Sequence, residues 1–222
     1  MIKCCVFDLD GTILDTITTI THYVNKSLHK FGYPEITEQQ CKYFVGNGAK
    51  LLIERVMHHL GVYGEERINE VFCDYDGEYN ANPYCLTSAF RGIFELLSEL
   101  KARGVKLAVI SNKQDSITKQ AVAHFYPGVF DEVVGGREGV ALKPSPDAVN
   151  EIIGRLRVQP CELAFVGDTS VDIETGRNAG AAAVIGVLWG FRTADELGSP
   201  DFIAESPSDI LDFLREKLVY EK

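Results

Sequence analysis

An α/β fold, with a parallel sheet covered by helices on both faces and an all-helical insert after the first strand, is predicted by three features of the sequence. Beyond residue 85, short apolar runs alternate with amphipathic stretches at helical spacing, the pattern of units that build parallel sheets. Residues 16–84 break that alternation and read as helices alone. Each polar motif falls at the end of an apolar run or in the loop just after it. Open parallel sheets bind ligands beyond those carboxyl ends.

The first run, Lys3-Cys4-Cys5-Val6-Phe7, reads as a short buried strand that stops on Asp8-Leu9-Asp10-Gly11-Thr12. Four helices are expected in the insert, at residues 16–31, 37–43, 48–60 and 65–79, with Asp15-Thr16 as the entry cap. Gly32-Tyr33-Pro34, Gly46-Asn47-Gly48 and Gly61 punctuate them. Residues 89–103 then place Ile93, Leu96, Leu97 and Leu100 on one helix face, with Gly104 as the stop. A strand at 106–110 ends on Ser111-Asn112-Lys113, and a helix at 115–125 and a strand at 130–134 follow. Ser145 and Pro146 open another helix as N-cap and first-turn residue. A strand at 163–166 ends on Gly167-Asp168, a helix runs to residue 179, and a strand occupies 182–187. The tail holds a small strand at 202–204 and a helix at 208–218. The expected organisation is a Rossmann-like core, residues 1–15 and 85–222, with a helical cap, residues 16–84, as a lid over the strand tips.

Composition narrows the function. The chain has 222 residues, 45% apolar and 24% charged, which is ordinary for a globular protein. A net charge of −10 argues against a nucleic-acid partner, because phosphate backbones select basic surfaces. An anionic substrate must then be drawn by a local site acting against the general field. No stretch approaches the ~20 apolar residues of a membrane span. The beginning of the chain lacks the basic, apolar, small-residue order of a secretory signal. Six scattered cysteines without a C-x-x-C pair read as reduced thiols of a cytoplasmic protein. The oligomeric state has no signature in the sequence.

Two carboxylates two residues apart at a strand end point the same way, so Asp8 and Asp10 converge. Like charges held together need a cation or a proton between them, and a divalent metal is the natural remedy. An Asp-rich turn is the competing reading of these five residues taken alone.

Three later segments favour chemistry. Phe7-Asp8-Leu9-Asp10-Gly11-Thr12, the Ser111-Asn112 strand end, Lys143 before Pro144, and Gly167-Asp168-Thr169-Ser170-Val171-Asp172 follow in the order of the haloacid dehalogenase-like (HAD) hydrolase superfamily, which the whole chain resembles. The resemblance implies a HAD-like core with a helical cap inserted after the first motif. It makes Asp8 a nucleophile that forms an aspartyl-phosphate, and Asp10 a general acid/base. An aspartate at this second position is absent from dehalogenases and ion-pumping ATPases, so phosphate-ester hydrolysis is the implied reaction.

Ser111 would hydrogen-bond a phosphoryl oxygen, and Asn112 and Thr12 would add substrate contacts; a helix-cap or turn role is the alternative for the strand end. Lys143 would neutralise Asp8 and the transferring group, ahead of Lys113 as a second candidate. Asp168 would complete a Mg²⁺ site with Asp8, the Asp10 main-chain oxygen and waters. Asp172 would be a ligand, a support for one, or a capping residue.

Phe44-Val45-Gly46-Asn47-Gly48-Ala49 and Leu188-Trp189-Gly190-Phe191-Arg192 look like phosphoglycolate phosphatases. A Gly46-Asn47-Gly48 turn before a helix would offer backbone N–H groups suited to a small carboxylate, and Arg192 would meet the substrate; a plain turn and a solvated arginine are the alternatives. The expected partner is a small phosphorylated metabolite. Pyrophosphatases, nucleotidases and sugar-phosphate phosphatases share the core motifs. So do phosphomutases of the β-phosphoglucomutase type, but their cap histidine, twelve residues after the nucleophile, is replaced here by Ile20, with His22 two residues on.

Overall fold

The structure, a computed structural model, describes residues 1–218. In chain order its elements are β1 (Cys4–Phe7), β2 (Leu14–Asp15), α1 (Ile17–Lys30), α2 (Glu38–Phe44), α3 (Ala49–His59), α4 (Glu65–Ala81), β3 (Ser88–Ala89) and α5 (Ile93–Ala102). There follow β4 (Lys106–Gln114), α6 (Asp115–Phe125), β5 (Glu132–Gly136), α7 (Asp147–Leu156), β6 (Leu163–Gly167), α8 (Ser170–Asn178), β7 (Ala183–Val187), β8 (Phe202–Ala204) and α9 (Pro207–Leu214). Two compact units result, one of residues 1–14 and 89–218, the other of residues 15–88.

In the first unit six parallel strands form a sheet in the order β5-β4-β1-β6-β7-β8. β1 lies between β4 and β6, with Phe7 opposite Val109 on one side and Val166 on the other. Alternate residues of a strand face opposite sides. Accordingly Cys5, Phe7, Leu107 and Val109 pack with Ile93, Leu97 and Leu100 of α5 and Ile210 and Leu214 of α9. Cys4, Val6, Ala108 and Phe165 pack with Val149 and Ile152 of α7. Both faces are apolar and covered, as the strand–helix alternation requires. Burial pushes the Cys4 thiol up to about 12 and raises Cys5 as well, so neither is an effective nucleophile. All six cysteines are free thiols.

Element edges depart from expectation where tertiary contacts override local pattern. The helix expected from residue 89 begins at Ile93, because Ala89 is taken into β3 and Gly92 turns the chain in a left-handed conformation at φ 87°. The strand expected at 106–110 continues as β4 to Gln114, with an irregular register against β5 after Ile110. Pro146, not Ser145, occupies the cap position of α7; the Ser145 hydroxyl accepts from the Asp147 N–H at 3.3 Å instead. The last helix stops at Leu214, and Leu218 forms a bridge with Ile2.

The second unit is helical, with α1 and α3 packed on α4. Val24, Leu28, Ile53, Val56, Met57 and Val71 are buried there. Ser27 and Lys30 of α1 both bind the Asp74 carboxylate of α4, and Lys26 pairs with Glu78 at 2.6 Å. α2 carries a reciprocal cap in which Thr37 and Gln40 satisfy one another's backbone N–H. No helix among the described residues is long and apolar enough to cross a membrane.

One buried hydrogen bond ties the core to the loop that follows β1. Tyr126, only 2% exposed, donates its hydroxyl to the Ile13 carbonyl at 2.7 Å. Tyr126→Phe leaves that carbonyl only the long bond from the Phe90 N–H at 3.4 Å and is expected to lower stability by about 1–2 kcal/mol, read by equilibrium urea unfolding. An unchanged midpoint would show that this contact carries no stability.

Candidate active site

β1 delivers Asp8 to the sheet's carboxyl edge, where the Asp8 N–H still donates to the Val166 carbonyl of β6 at 2.9 Å. β6 itself runs out at Gly167, so Asp168 emerges beside Asp8. Asp172 lies in the first turn of α8. Oxygens of Asp8, Asp168 and Asp172 lie within 4.8 Å of one another, and all three residues are buried. Into this cluster Lys143 inserts its ammonium, 2.5 Å from Asp8 Oδ1 and 2.7 Å from Asp172 Oδ1.

The charge balance is uneven. Three carboxylates against one ammonium leave an excess of two negative charges if all are ionised. Burial, then Asp172 and Asp168, push Asp8 well above the ordinary carboxylate range despite the pull of Lys143. Burial, with Asp172 beside it, pushes Asp168 up to about 7. Burial alone would lower Lys143, but Asp172 and Asp8 outweigh it and keep the ammonium charged. An all-oxygen donor set with two surplus negative charges is matched by a hard divalent cation.

Each member is fixed by partners of its own. Asp168 accepts from the Thr12 hydroxyl at 3.2 Å and from the Phe191 N–H at 2.8 Å. A side chain at Gly11, whose φ is 88°, or at Gly190 would collide with that carboxylate. Trp189 Nε1 donates to the Thr12 carbonyl at 2.9 Å and closes the same corner. Asp172 uses both oxygens: Oδ2 accepts from the Thr169 N–H and hydroxyl at the start of α8, and Oδ1 takes Lys143. Capping and charge pairing are therefore one feature.

Two residues expected to contact substrate have side-chain partners within the protein. Asn112 spends its amide on the Lys143 backbone, accepting from its N–H at 2.8 Å and donating to its carbonyl at 3.2 Å. It aims the lysine. Thr12 is fully buried, and its hydroxyl is turned to Asp168. The Ser111 hydroxyl lies on the same edge, accepting from the Lys113 N–H at 3.1 Å.

The Asp10 carboxylate stands outside the three-acid cluster and pairs with Lys113 at 2.6 Å. Any part of Asp10 in metal binding is thus left to its main chain. Gly46, Asn47 and Gly48 belong to the helical unit, where Arg55 holds their turn by bonds to the Phe44 carbonyl at 2.9 Å and to Asn47 Oδ1 at 3.0 Å. Arg192 lies in the first unit, just after the Phe191 N–H that binds Asp168. The Phe191 backbone contact went unforeseen; Gly190 after a strand end, a residue that permits close backbone approach, was the available hint.

The chain belongs to the haloacid dehalogenase-like hydrolases, whose family model matches residues 5–187. Within that family it is similar to the phosphoglycolate phosphatase of Aquifex aeolicus (strain VF5), with 34% identity over 215 residues covering 96% of this chain and 97% of that protein. The phosphoglycolate phosphatase of Vibrio vulnificus (strain CMCP6) is 31% identical over 218 residues, 95% of each chain. A crystal structure from Lactobacillus delbrueckii subsp. bulgaricus, provisionally named a phosphoglycolate phosphatase, superposes with a TM-score of 0.91 at 29% identity, covering 96% and 98% of the two chains. The enzyme class is that of a phosphoric monoester hydrolase.

The raised carboxylates carry a pH signature. An aspartate held near 7 in the folded chain and near 3.8 when unfolded takes up a proton on folding between those values. The metal-free fold therefore loses stability as pH rises through that window. A divalent cation offsets the repulsion only once the protons are gone. Magnesium is expected to raise the melting temperature more at pH 8 than at pH 5, measured by thermal denaturation with and without the ion. A shift that does not grow with pH would contradict this electrostatic account.

Proposed function

We propose that the chain is a magnesium-dependent phosphatase of small phosphorylated metabolites, with phosphoglycolate as the leading substrate, acting through an aspartyl-phosphate on Asp8. The observation that carries this reading is the Asp8–Lys143 contact inside a cluster of three buried carboxylates. Asp8 and Asp168, with the Asp10 main chain, would hold the ion, and Asp172 would support it through Lys143. When bound, magnesium supplies charge neutralisation that lets a dianionic phosphoryl group approach a carboxylate.

With a cation bound, Lys143 would favour the ionised form of Asp8 and orient it while Asp8 attacks phosphorus, and the Ser111 hydroxyl would steady a phosphoryl oxygen. Asp10 gives a proton to the leaving oxygen as its bond to phosphorus breaks. It then takes a proton from the water that opens the aspartyl-phosphate. The substrate assignment leans on the relatives' names and on the Gly46-Asn47-Gly48 turn and Arg192, which suit a small carboxylate. The mutase alternative is disfavoured by Ile20, buried in α1 where those enzymes carry a histidine. Free cysteines agree with a reducing, cytoplasmic setting.

Phosphate release should be measured across phosphoglycolate, pyrophosphate, nucleoside monophosphates and sugar phosphates, with and without magnesium. Phosphoglycolate is expected to dominate and magnesium to be required. A dominant signal from another ester would discard the substrate while keeping the mechanism. Asp8→Asn is expected to lower kcat on the order of 10³-fold or more. A loss below about tenfold would remove Asp8 from the nucleophile role.

A further inference from the structure

We infer that Lys113 is a positioning residue for the reaction, holding the Asp10 carboxylate by Oδ1 so that Oδ2 is presented for proton transfer. This rests on the reading of Asp10 as proton donor and acceptor given above.

Two lysines reach the carboxyl edge of the sheet, and they divide the acids between them. Lys143 takes Asp8 and Asp172, whereas Lys113 takes Asp10, with Nζ 2.6 Å from Oδ1. The pair is largely shielded, with side chains 12% and 21% exposed, and its members come from the ends of adjacent strands. Partly exposed ion pairs add little to stability, so the main consequence of this one is orientation.

Lys113 is itself held. Its N–H donates to the Ser111 hydroxyl at 3.1 Å, and its carbonyl accepts from the hydroxyl of buried Thr118 at 3.1 Å. It falls in the stretch of β4 between Ile110 and Gln114 where the register against β5 shifts. Ser111, Asn112 and Lys113 thus meet three different partners: the Lys113 backbone, the Lys143 backbone and Asp10.

The proton count is consistent with this role. As Asp8 forms its bond to phosphorus and the ester oxygen leaves, the proton on Asp10 Oδ2 passes to that oxygen. As water forms its bond to phosphorus and the Asp8 bond breaks, a water proton returns to Oδ2. Oδ1 accepts from Lys113 throughout.

A role exercised through Asp10 depends on how much the leaving group needs a proton. The test compares kcat/KM for an alkyl phosphate and for p-nitrophenyl phosphate in the wild type, Lys113→Met, Lys113→Arg and Asp10→Asn. Lys113→Met is expected to lose on the order of 10–100-fold on the alkyl ester and less than about threefold on the nitrophenyl ester. Lys113→Arg should recover part of the alkyl loss. Equal losses on both esters, from misfolding or from direct contact with the phosphoryl group, would overturn the inference, as would no loss on either. Asp10→Asn separates the two levels: if it shows no such bias between esters, the reading of Asp10 fails. If it shows the bias and Lys113→Met does not, only the inference fails.

Discussion

A single ammonium buried among carboxylates is the constraint on which the site depends. Taking a carboxylate out of water costs several kcal/mol unless it is paired, and three are gathered here at the edge of one sheet. Lys143 makes that gathering possible by meeting Asp8 and Asp172 at once. Much of the nearby structure serves its placement. Asn112 grips its backbone across 31 residues of chain, and Asp172 is pinned at the first turn of α8 by Thr169. The carboxylates that Lys143 does not balance are what would suit the site to a divalent cation.

The sheet supplies the rigidity that this balance needs. Asp8 and Asp168 extend from strands that are hydrogen-bonded neighbours, so their separation is set by strand spacing rather than by flexible loops. Gly11 and Gly190 clear the space around Asp168, and Tyr126 anchors the loop behind it through Ile13. Core packing and active-site geometry are in this sense the same structure viewed at different distances from the strand tips.

Asp8, Asp10, Lys143 and Asp168 were legible in the sequence because each sits beside a strand end or a proline-bounded loop, and their order along the chain is distinctive. The alternation of strands and helices was legible for the same reason: periodicity is a local property. What was not legible depends on distant partners. The bond from the Thr12 hydroxyl to Asp168, 156 residues away, has no local signal. The two bonds by which Asn112 holds the Lys143 backbone likewise join segments 31 residues apart. The Phe191 contribution is a backbone N–H, which no side-chain pattern announces. The extension of β4 to Gln114 was hidden because Ser111, Asn112 and Lys113 carry no apolar signal, although their strand is completed by pairing with Gly136.

The most direct test of the account is to trap the enzyme during turnover. Rapid acid quench of the enzyme with magnesium and excess substrate, followed by peptide mass spectrometry, reads where the phosphoryl group resides. The account predicts a phosphorylated peptide with the modification on Asp8, absent from Asp8→Asn. Phosphoryl transfer to another residue, or steady turnover with no phosphorylated enzyme under any quench time, would contradict it.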